Sequence, residues 1–314
     1  GRLSHSVTNR ASPGNPNVQI VTDYTYDAYG RVSHQVNTIT SQSTQGPITT
    51  TETVDYTYDA FGRIATQRTA TRRPGESADT VDLTTYTYDQ YGRVLTANTN
   101  HTSSDGSTYN ILSTYEYDQF GRVSKVTAVK TQVVNGVTQT STDETTNTYD
   151  EYGRVSGAHI KHTDAAGVVT YDDITYEFDE YGRISTQTTL HTNADGTQTT
   201  KVNNYTYDDN GQLIIDINDI NNPDNTNTHG NTTYIYDQFG RVITATTTTT
   251  NPDGTQNTTV VTYTYDSYGR VATQTSILTR ADGTQNTDVT TYTYDQYGRL
   301  SHSVTNRTSP GNPN

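Results

Sequence analysis

One short motif recurs along the whole chain and limits what it can fold into more than any other feature does. Its last copy reads Tyr292-Thr-Tyr294-Asp295-Gln-Tyr-Gly298-Arg299-Leu. Ten copies are centred on glycines that lie 29 to 32 residues apart: Gly30, Gly62, Gly92, Gly121, Gly153, Gly182, Gly211, Gly240, Gly269 and Gly298. Self-similarity at a fixed period indicates a repeat architecture, in which one supersecondary unit stacks on its neighbours. We therefore expect function to belong to the array as a whole.

The motif has the residue pattern of a tight β-hairpin. Tyr292, Thr293 and Tyr294 alternate aromatic and polar side chains, which is typical of a strand with two unlike faces. Asp295 suits the first position of a turn, and Gly298 suits the left-handed conformation that ends a three-residue hairpin loop. The pattern therefore predicts a strand, a turn and a returning strand in every copy.

This hairpin also predicts which residues face each other. Tyr294 is expected opposite Leu300 on a face that the tyrosines share, and Thr293 is expected opposite Ser301. The Asp and Arg of each copy would form a cross-strand ion pair on the other face. Exposed ion pairs contribute about 0–1 kcal/mol each, so we interpret them as setting the register more than as stabilising. The structural motif residues of four representative copies are Tyr24, Tyr26, Asp27, Gly30 and Arg31; Tyr86, Tyr88, Asp89, Gly92 and Arg93; Tyr263, Tyr265, Asp266, Gly269 and Arg270; and Tyr292, Tyr294, Asp295, Gly298 and Arg299.

Composition favours strands over an ordinary globular core. Only 29% of the residues are hydrophobic, the mean hydropathy is -0.83, and Cys, Met and Trp are absent. So low an apolar content would by itself favour disorder. The 26 tyrosines and the abundant Thr and Val, placed at a strict period, instead suit a pleated and half-buried surface. A tyrosine can bury its ring while its hydroxyl stays hydrogen-bonded.

A second turn lies midway between consecutive motifs. It occurs, for example, as Asn193-Ala-Asp-Gly196 and as Asn251-Pro-Asp-Gly254, with the residues that such loops require. The two 32-residue repeats carry their extra residues near this turn, within 41–49 and 133–142. The sequence therefore predicts an all-β fold. Tandem antiparallel β-hairpin repeats of 29–32 residues would form one continuous coiled or tubular sheet.

The two ends of the sequence are nearly identical. Residues 1–17 and 298–314 differ only at Ala11 and Thr308, which gives a superperiod of 297 residues, 298 minus 1. We expect residues 1–314 to be a single repeat array, and a window of a longer tandem polypeptide.

Charge and side-chain chemistry disfavour most catalytic and binding classes. The net charge of -14 disfavours nucleic acid as a partner, and no stretch is apolar enough to span a membrane. His159 and His162 have a zinc-like spacing without a third ligand nearby. Calcium at the Asp-rich distal turns is less favoured than a solvated turn, because no EF-hand ligand pattern occurs. We expect no catalytic residues, no metal, no cofactor and no enzymatic activity.

Glycans are the one covalent partner that the sequence suggests. Sequons for N-glycosylation occur at Asn100, Asn204, Asn231, Asn257 and Asn306. A chain rich in Asn and Thr also produces such triplets by chance, so both interpretations stay open.

The repeated Tyr-x-Tyr-Asp-x-x-Gly-Arg-Val/Leu string resembles the YD repeat of the Rhs family, which includes wall-associated proteins, toxin-complex subunits and teneurins. The resemblance covers essentially the whole chain. It implies β-strands of a spiralling sheet, often a hollow shell around a toxic cargo domain, in a bacterial protein exported to the surface or beyond. The repeats here are longer than those of the family, with Thr-rich arms.

From these features we expect an extracellular or cell-surface fibre, stalk or filament that provides reach, spacing or adhesion. Its main partner would be the continuation of the same array, with lateral contacts between fibres. Two alternatives stay open: a segment of an Rhs-like shell that encloses a toxin domain, and an adhesin module that binds a glycan or a receptor.

Overall fold

The computed structural model describes residues 2–10, 18–43, 46–224, 226–295, 298 and 300–309. These residues form 21 antiparallel strands and no helix, which confirms the predicted all-β class. None of them belongs to a helix with the length and apolar character needed to cross a membrane. Arg299 lies outside the described residues.

The strands are β1 (His5–Arg10), β2 (Val18–Tyr26), β3 (Val32–Ser43), β4 (Gly46–Tyr58), β5 (Ile64–Arg72), β6 (Thr80–Tyr88), β7 (Val94–Thr102), β8 (Thr108–Tyr117), β9 (Val123–Val134), β10 (Val137–Tyr149), β11 (Val155–Thr163), β12 (Val169–Phe178), β13 (Ile184–Thr192), β14 (Gln198–Tyr207), β15 (Leu213–Asn221), β16 (Thr228–Tyr236), β17 (Val242–Thr250), β18 (Gln256–Tyr265), β19 (Val271–Thr279), β20 (Gln285–Tyr294) and β21 (Leu300–Thr308).

The chain divides into two units, one formed by Gly1–Asn147 with Ile160–Val169 and the other by Thr148–His159 with Thr170–Asn314. In the first unit, β1 to β10 pair antiparallel in chain order. In the second unit, β12 to β21 pair in the same way. Each repeat therefore supplies two strands of an antiparallel meander, as the spacing of the two turns predicts.

Every described motif turn has the same backbone. In the first one, the Asp27 N–H donates to the Arg31 carbonyl at 2.8 Å, and the Gly30 N–H donates to the Asp27 carbonyl at 3.0 Å. The Asp27 carboxylate also accepts from the N–H groups of Tyr29 and Arg31, both at 2.9 Å. The glycines of the ten motifs have φ between 77° and 84°, a left-handed conformation that a Cβ disfavours.

The strand that follows the motif turn contains a β-bulge. Tyr26 pairs with Val32 but Thr25 pairs with His34, so Ser33 is an extra residue on its strand. The same shift occurs beside the second tyrosine position in nine hairpins. The predicted pairing of Thr293 with Ser301 is therefore wrong. Thr293 pairs with His302, whereas Tyr294 pairs with Leu300 as expected.

Side chains in this fold are half-buried on the sheet, and neither unit contains a layer of fully buried ones. Among the described residues, Val54, Ala70 and Tyr292 are the buried hydrophobic ones, and no side chain is less than 2% exposed. Stability must therefore come mainly from cross-strand pairs and from the hydrogen bonds of the strands.

Candidate functional site

The motif turns carry the densest set of specific side-chain contacts. At the first turn, the Asp27 carboxylate accepts from Nε and from Nη2 of Arg31, both at 2.7 Å. Equivalent ion pairs, with distances of 2.5–2.7 Å, join Asp59 and Arg63, Asp89 and Arg93, Asp118 and Arg122, Asp150 and Arg154, Asp179 and Arg183, Asp237 and Arg241, and Asp266 and Arg270. Contacts through both Nε and Nη2, which fix the direction of the guanidinium plane, are made by Arg31, Arg63, Arg122, Arg241 and Arg270.

Seven motif arginines also reach the following repeat. The guanidinium carbon of Arg31 lies 4.1 Å from the ring centroid of Tyr58 and 5.0 Å from that of Tyr29 in its own turn. Contacts to the next repeat of 3.9–4.5 Å recur for Arg63 and Tyr88, Arg93 and Tyr117, Arg154 and Phe178, Arg183 and Tyr207, Arg241 and Tyr265, and Arg270 and Tyr294. We predicted that the ion pairs and the tyrosines lie on opposite faces of the sheet. That prediction is wrong, because the long arginine side chain extends to a tyrosine of the next hairpin.

The second tyrosine of each motif completes this link between repeats. The Tyr58 hydroxyl donates to the Val32 carbonyl of the preceding repeat at 2.6 Å. The same bond, at 2.6–2.9 Å, joins Tyr88 to Ile64, Tyr117 to Val94, Tyr207 to Ile184, Tyr236 to Leu213, Tyr265 to Val242, and Tyr294 to Val271. Desolvation by burial raises the pKa of Tyr58, and the nearby Arg31 partly offsets that rise. We call this combination of arginine, ring and hydroxyl the inter-repeat clamp.

Phe178 tests the contribution of the hydroxyl, because it holds the second tyrosine position without one. Its ring lies 3.9 Å from the guanidinium carbon of Arg154. By analogy with the other repeats, a tyrosine here would donate to the carbonyl of Val155. We expect Phe178→Tyr to raise the free energy of unfolding by about 0.5–1.5 kcal/mol, the net value of a typical hydrogen bond. Urea denaturation followed by tyrosine fluorescence measures this, and an unchanged or lower midpoint would contradict it.

The first tyrosines of the motifs lie in a row along the sheet. Desolvation by burial raises the pKa of Tyr56, and Tyr58, Glu52, Tyr86 and Tyr24 add to that rise. The pKa of Tyr86 is raised by burial and then by Tyr115. In the second unit, the pKa of Tyr234 is raised mainly by burial, and the neighbouring Asp216, Tyr236 and Tyr263 add to that rise. Tyr292 is 6% exposed and its hydroxyl donates to Oε1 of Gln274 at 3.2 Å.

The hydrogen bonds of the motif turns lower the pKa of the motif aspartates. The side-chain hydrogen bond from Arg270 is the main cause that lowers the pKa of Asp266 below its ordinary 3.8. In six further turns, desolvation is the largest single cause and acts to raise the pKa of the aspartate. Hydrogen bonds from the arginine outweigh it, so the pKa is again lowered. These aspartates are Asp27, Asp59, Asp89, Asp118, Asp150 and Asp179.

We therefore expect the array to lose stability in acid. A carboxylate with a lowered folded pKa contributes stability that is fully present above its unfolded pKa and is lost as pH falls through the folded value. The urea midpoint should hold at neutral pH and fall continuously once the pH drops below about 4. The double variant Asp237→Asn and Asp266→Asn should show a shallower fall. A midpoint that is constant down to pH 2 would contradict this expectation.

Histidine–aspartate pairs are a feature that sequence reasoning missed. Seven histidines place Nδ1 2.5–2.7 Å from an aspartate oxygen, in the pairs His5–Asp23, His34–Asp55, His101–Asp82, His159–Asp173, His162–Asp143, His191–Asp172 and His229–Asp219. The partners lie on neighbouring strands, so only the strand register could have revealed them. No group of three His, Cys, Asp or Glu side chains that could hold a metal ion occurs in the part of the chain that the structure describes.

All five glycosylation sequons lie within strands. Asn100 and Asn306 are exposed, whereas Asn204, Asn231 and Asn257 are half-buried. Asn204 accepts a hydrogen bond from the Thr186 hydroxyl at 3.2 Å, and Asn257 accepts one from the N–H of Ala281 at 3.2 Å. Only the two exposed asparagines offer a side chain that solvent reaches freely.

No protein-family model matches the chain, and no curated protein does. Among solved structures, it is similar to a chain of the TcdB2–TccC3–Cdc42 complex, with a TM-score of 0.20 and 11% identity over 94% of this chain. It spans 24% of the length of that chain.

Two porin-like proteins are also similar. The one from Bacteroides uniformis has a TM-score of 0.26 and 12% identity, covering 97% of this chain and 95% of the other. The one from Bacteroides vulgatus has a TM-score of 0.21 and 10% identity, covering 87% and 98%. TM-scores this low do not show a shared fold, so the resemblance to YD-repeat proteins rests on the motif alone.

Proposed function

We propose that this chain is a structural protein that forms part of an extracellular or cell-surface filament, fibre or stalk, and that it works by reach, spacing or adhesion. The observation that carries the proposal is the inter-repeat clamp. At six junctions, a repeat gives the following one both an arginine contact and a backbone carbonyl. A contact of this head-to-tail kind can be added without limit, which is how filaments extend.

Charge supports a role in which neighbouring arrays stay apart in solution. The ion pairs of the motif turns cancel locally, so the net charge of -14 comes from the strands and distal turns. An excess of one sign keeps neighbouring arrays apart and soluble. We propose that the source is bacterial, that the tyrosine face turns inward as the sheet coils, and that the principal partner is more of the same array. This role requires no catalytic residues and no cofactor.

Electron microscopy with helical or single-particle averaging tests this function. Native material should contain thin, continuous rods with an axial repeat related to the ten-repeat superperiod of 297 residues. Hollow particles that hold internal density would overturn the proposal in favour of the toxin-enclosing shell. Short monomeric rods, each ending in a distinct tip domain, would favour the adhesin.

A further inference from the structure

An exposed row of aromatic rings marks the tips of the motif turns. It consists of Tyr29, Phe61, Tyr91 and Phe120 in the first unit, and of Tyr152, Tyr181, Phe239 and Tyr268 in the second. These rings are 72–84% exposed, although large apolar side chains usually avoid such positions. Each ring lies 4.8–5.0 Å from the guanidinium carbon of its own motif arginine. We call this row the aromatic ridge.

The turn itself does not require these rings. Asn210 replaces the aromatic residue in one motif, yet its N–H donates to the Asp208 carboxylate at 2.9 Å and the turn closes normally. Four distal turns have the same backbone hydrogen bonds but carry aspartate in this position, namely Asp105, Asp195, Asp253 and Asp282. The chain therefore uses one turn type twice, with a charged tip at one end of its hairpins and an aromatic tip at the other.

We propose that the aromatic ridge binds a neutral, extended, β-linked polysaccharide, an inference that rests on the proposed extracellular role and names its partner. Successive rings are two strands apart, roughly 9.6 Å at ~4.8 Å per strand. That distance is comparable with the disaccharide repeat of an extended β-1,4-linked glycan. Each pyranose ring has an apolar C–H face that can lie against an aromatic ring.

The electrostatics of the ridge favour a neutral partner. The motif arginines are ion-paired with the aspartates of the same turns, as in Arg31, whose Nε and Nη2 both contact Asp27. These ion pairs offset the positive charge that would attract a polyanion, and the net charge of -14 repels one. The same charge opposes the close approach of a second copy. A regular row without a deep pocket suits a partner that repeats at the same interval.

Multivalency makes weak stacking sufficient. Each ring offers one free face, so a single contact would be weak. Four rings of one unit that engage one polymer chain convert later contacts into intramolecular ones, which can raise the apparent affinity by roughly 10²–10⁴-fold. Binding should therefore grow steeply with oligosaccharide length.

The test uses the full chain and insoluble cellulose or chitin, with soluble cello-oligosaccharides as competitors. The ridge variant replaces all eight rings of the ridge, by Tyr29→Asn, Phe61→Asn, Tyr91→Asn, Phe120→Asn, Tyr152→Asn, Tyr181→Asn, Phe239→Asn and Tyr268→Asn, substitutions that copy the natural Asn210. The control variant carries Asp105→Asn, Asp195→Asn, Asp253→Asn and Asp282→Asn at distal turns. We expect the unmodified chain and the control to co-sediment with the polysaccharide, and the ridge variant to bind about tenfold or more weakly.

Three results would overturn the inference: no binding by the unmodified chain, equal binding by the ridge variant, or preference for an α-linked glucan. Loss of self-association by the ridge variant in analytical ultracentrifugation, without any glycan binding, would instead assign the ridge to contacts between copies and would also overturn it. Electron microscopy of the ridge variant separates this inference from the proposed function. Intact filaments that no longer bind glycan would support both.

Discussion

Replacing Tyr117 by alanine is expected to lower the free energy of unfolding by about 2–3 kcal/mol, an unusually large effect for a side chain that is only half-buried. The substitution removes the hydroxyl bond to the Val94 carbonyl, which is 2.7 Å long and has a net value of about 1 kcal/mol. It also removes the ring that lies 4.3 Å from the Arg93 guanidinium carbon, a contact with a value of about 1 kcal/mol. The remainder is lost apolar contact.

Two further variants separate these contributions. Tyr117→Phe keeps the ring and should lower stability by only about 0.5–1.5 kcal/mol. Tyr91→Ala removes a tyrosine from the exposed tip of the preceding motif, the one that supplies Arg93. That side chain is 73% accessible, so the substitution should have an effect of less than about 1 kcal/mol. Urea denaturation at neutral pH measures all three. Equal losses for Tyr117→Ala and Tyr91→Ala would show that the inter-repeat clamp does not hold the array together.

The period and turn chemistry of the sequence were enough to predict the hairpins. Asp295 and Gly298 indicated the turn, and the glycines at the predicted left-handed positions do have positive φ. Local residue preferences decide these features, and a single repeat contains all the information they need. The alternation of Tyr292, Thr293 and Tyr294 likewise predicted a strand.

The contacts between repeats were not predictable in the same way. Nothing within one motif shows that Arg31 reaches Tyr58, which is 27 residues (58 minus 31) further along the chain. The β-bulge at Ser33 shifts the register by one residue, and a shift of that size changes which side chains face each other. His34 meets Asp55 through the separate register of β3 with β4, so the histidine–aspartate pairs could not be derived from spacing alone.

Gly182→Ala is expected to lower the free energy of unfolding by about 2–3 kcal/mol, and Gly196→Ala by about 1–2 kcal/mol. Both glycines have a φ of 82°, so an added Cβ brings the same backbone strain at each. Their surroundings differ. A Cβ at Gly182 would lie 2.9 Å from Nη1 of Arg154, whereas a Cβ at Gly196 would have nothing within 4 Å. The additional loss at Gly182 comes from the displacement of Arg154 off the ring of Phe178.

A double-mutant cycle shows whether that displacement is the cause. In an Arg154→Ala background, the guanidinium is already gone, so Gly182→Ala should have the same effect as Gly196→Ala. Glutamine would be a poor choice for this background, because Gln212 reaches the next turn and donates to the Gly240 carbonyl at 3.1 Å. Gln212 stands where the other motifs have arginine, and it shows that a neutral side chain can also lie against the glycine of the next turn, here Gly240. If the additional loss persists after Arg154→Ala, the glycine is required for some reason other than the inter-repeat clamp.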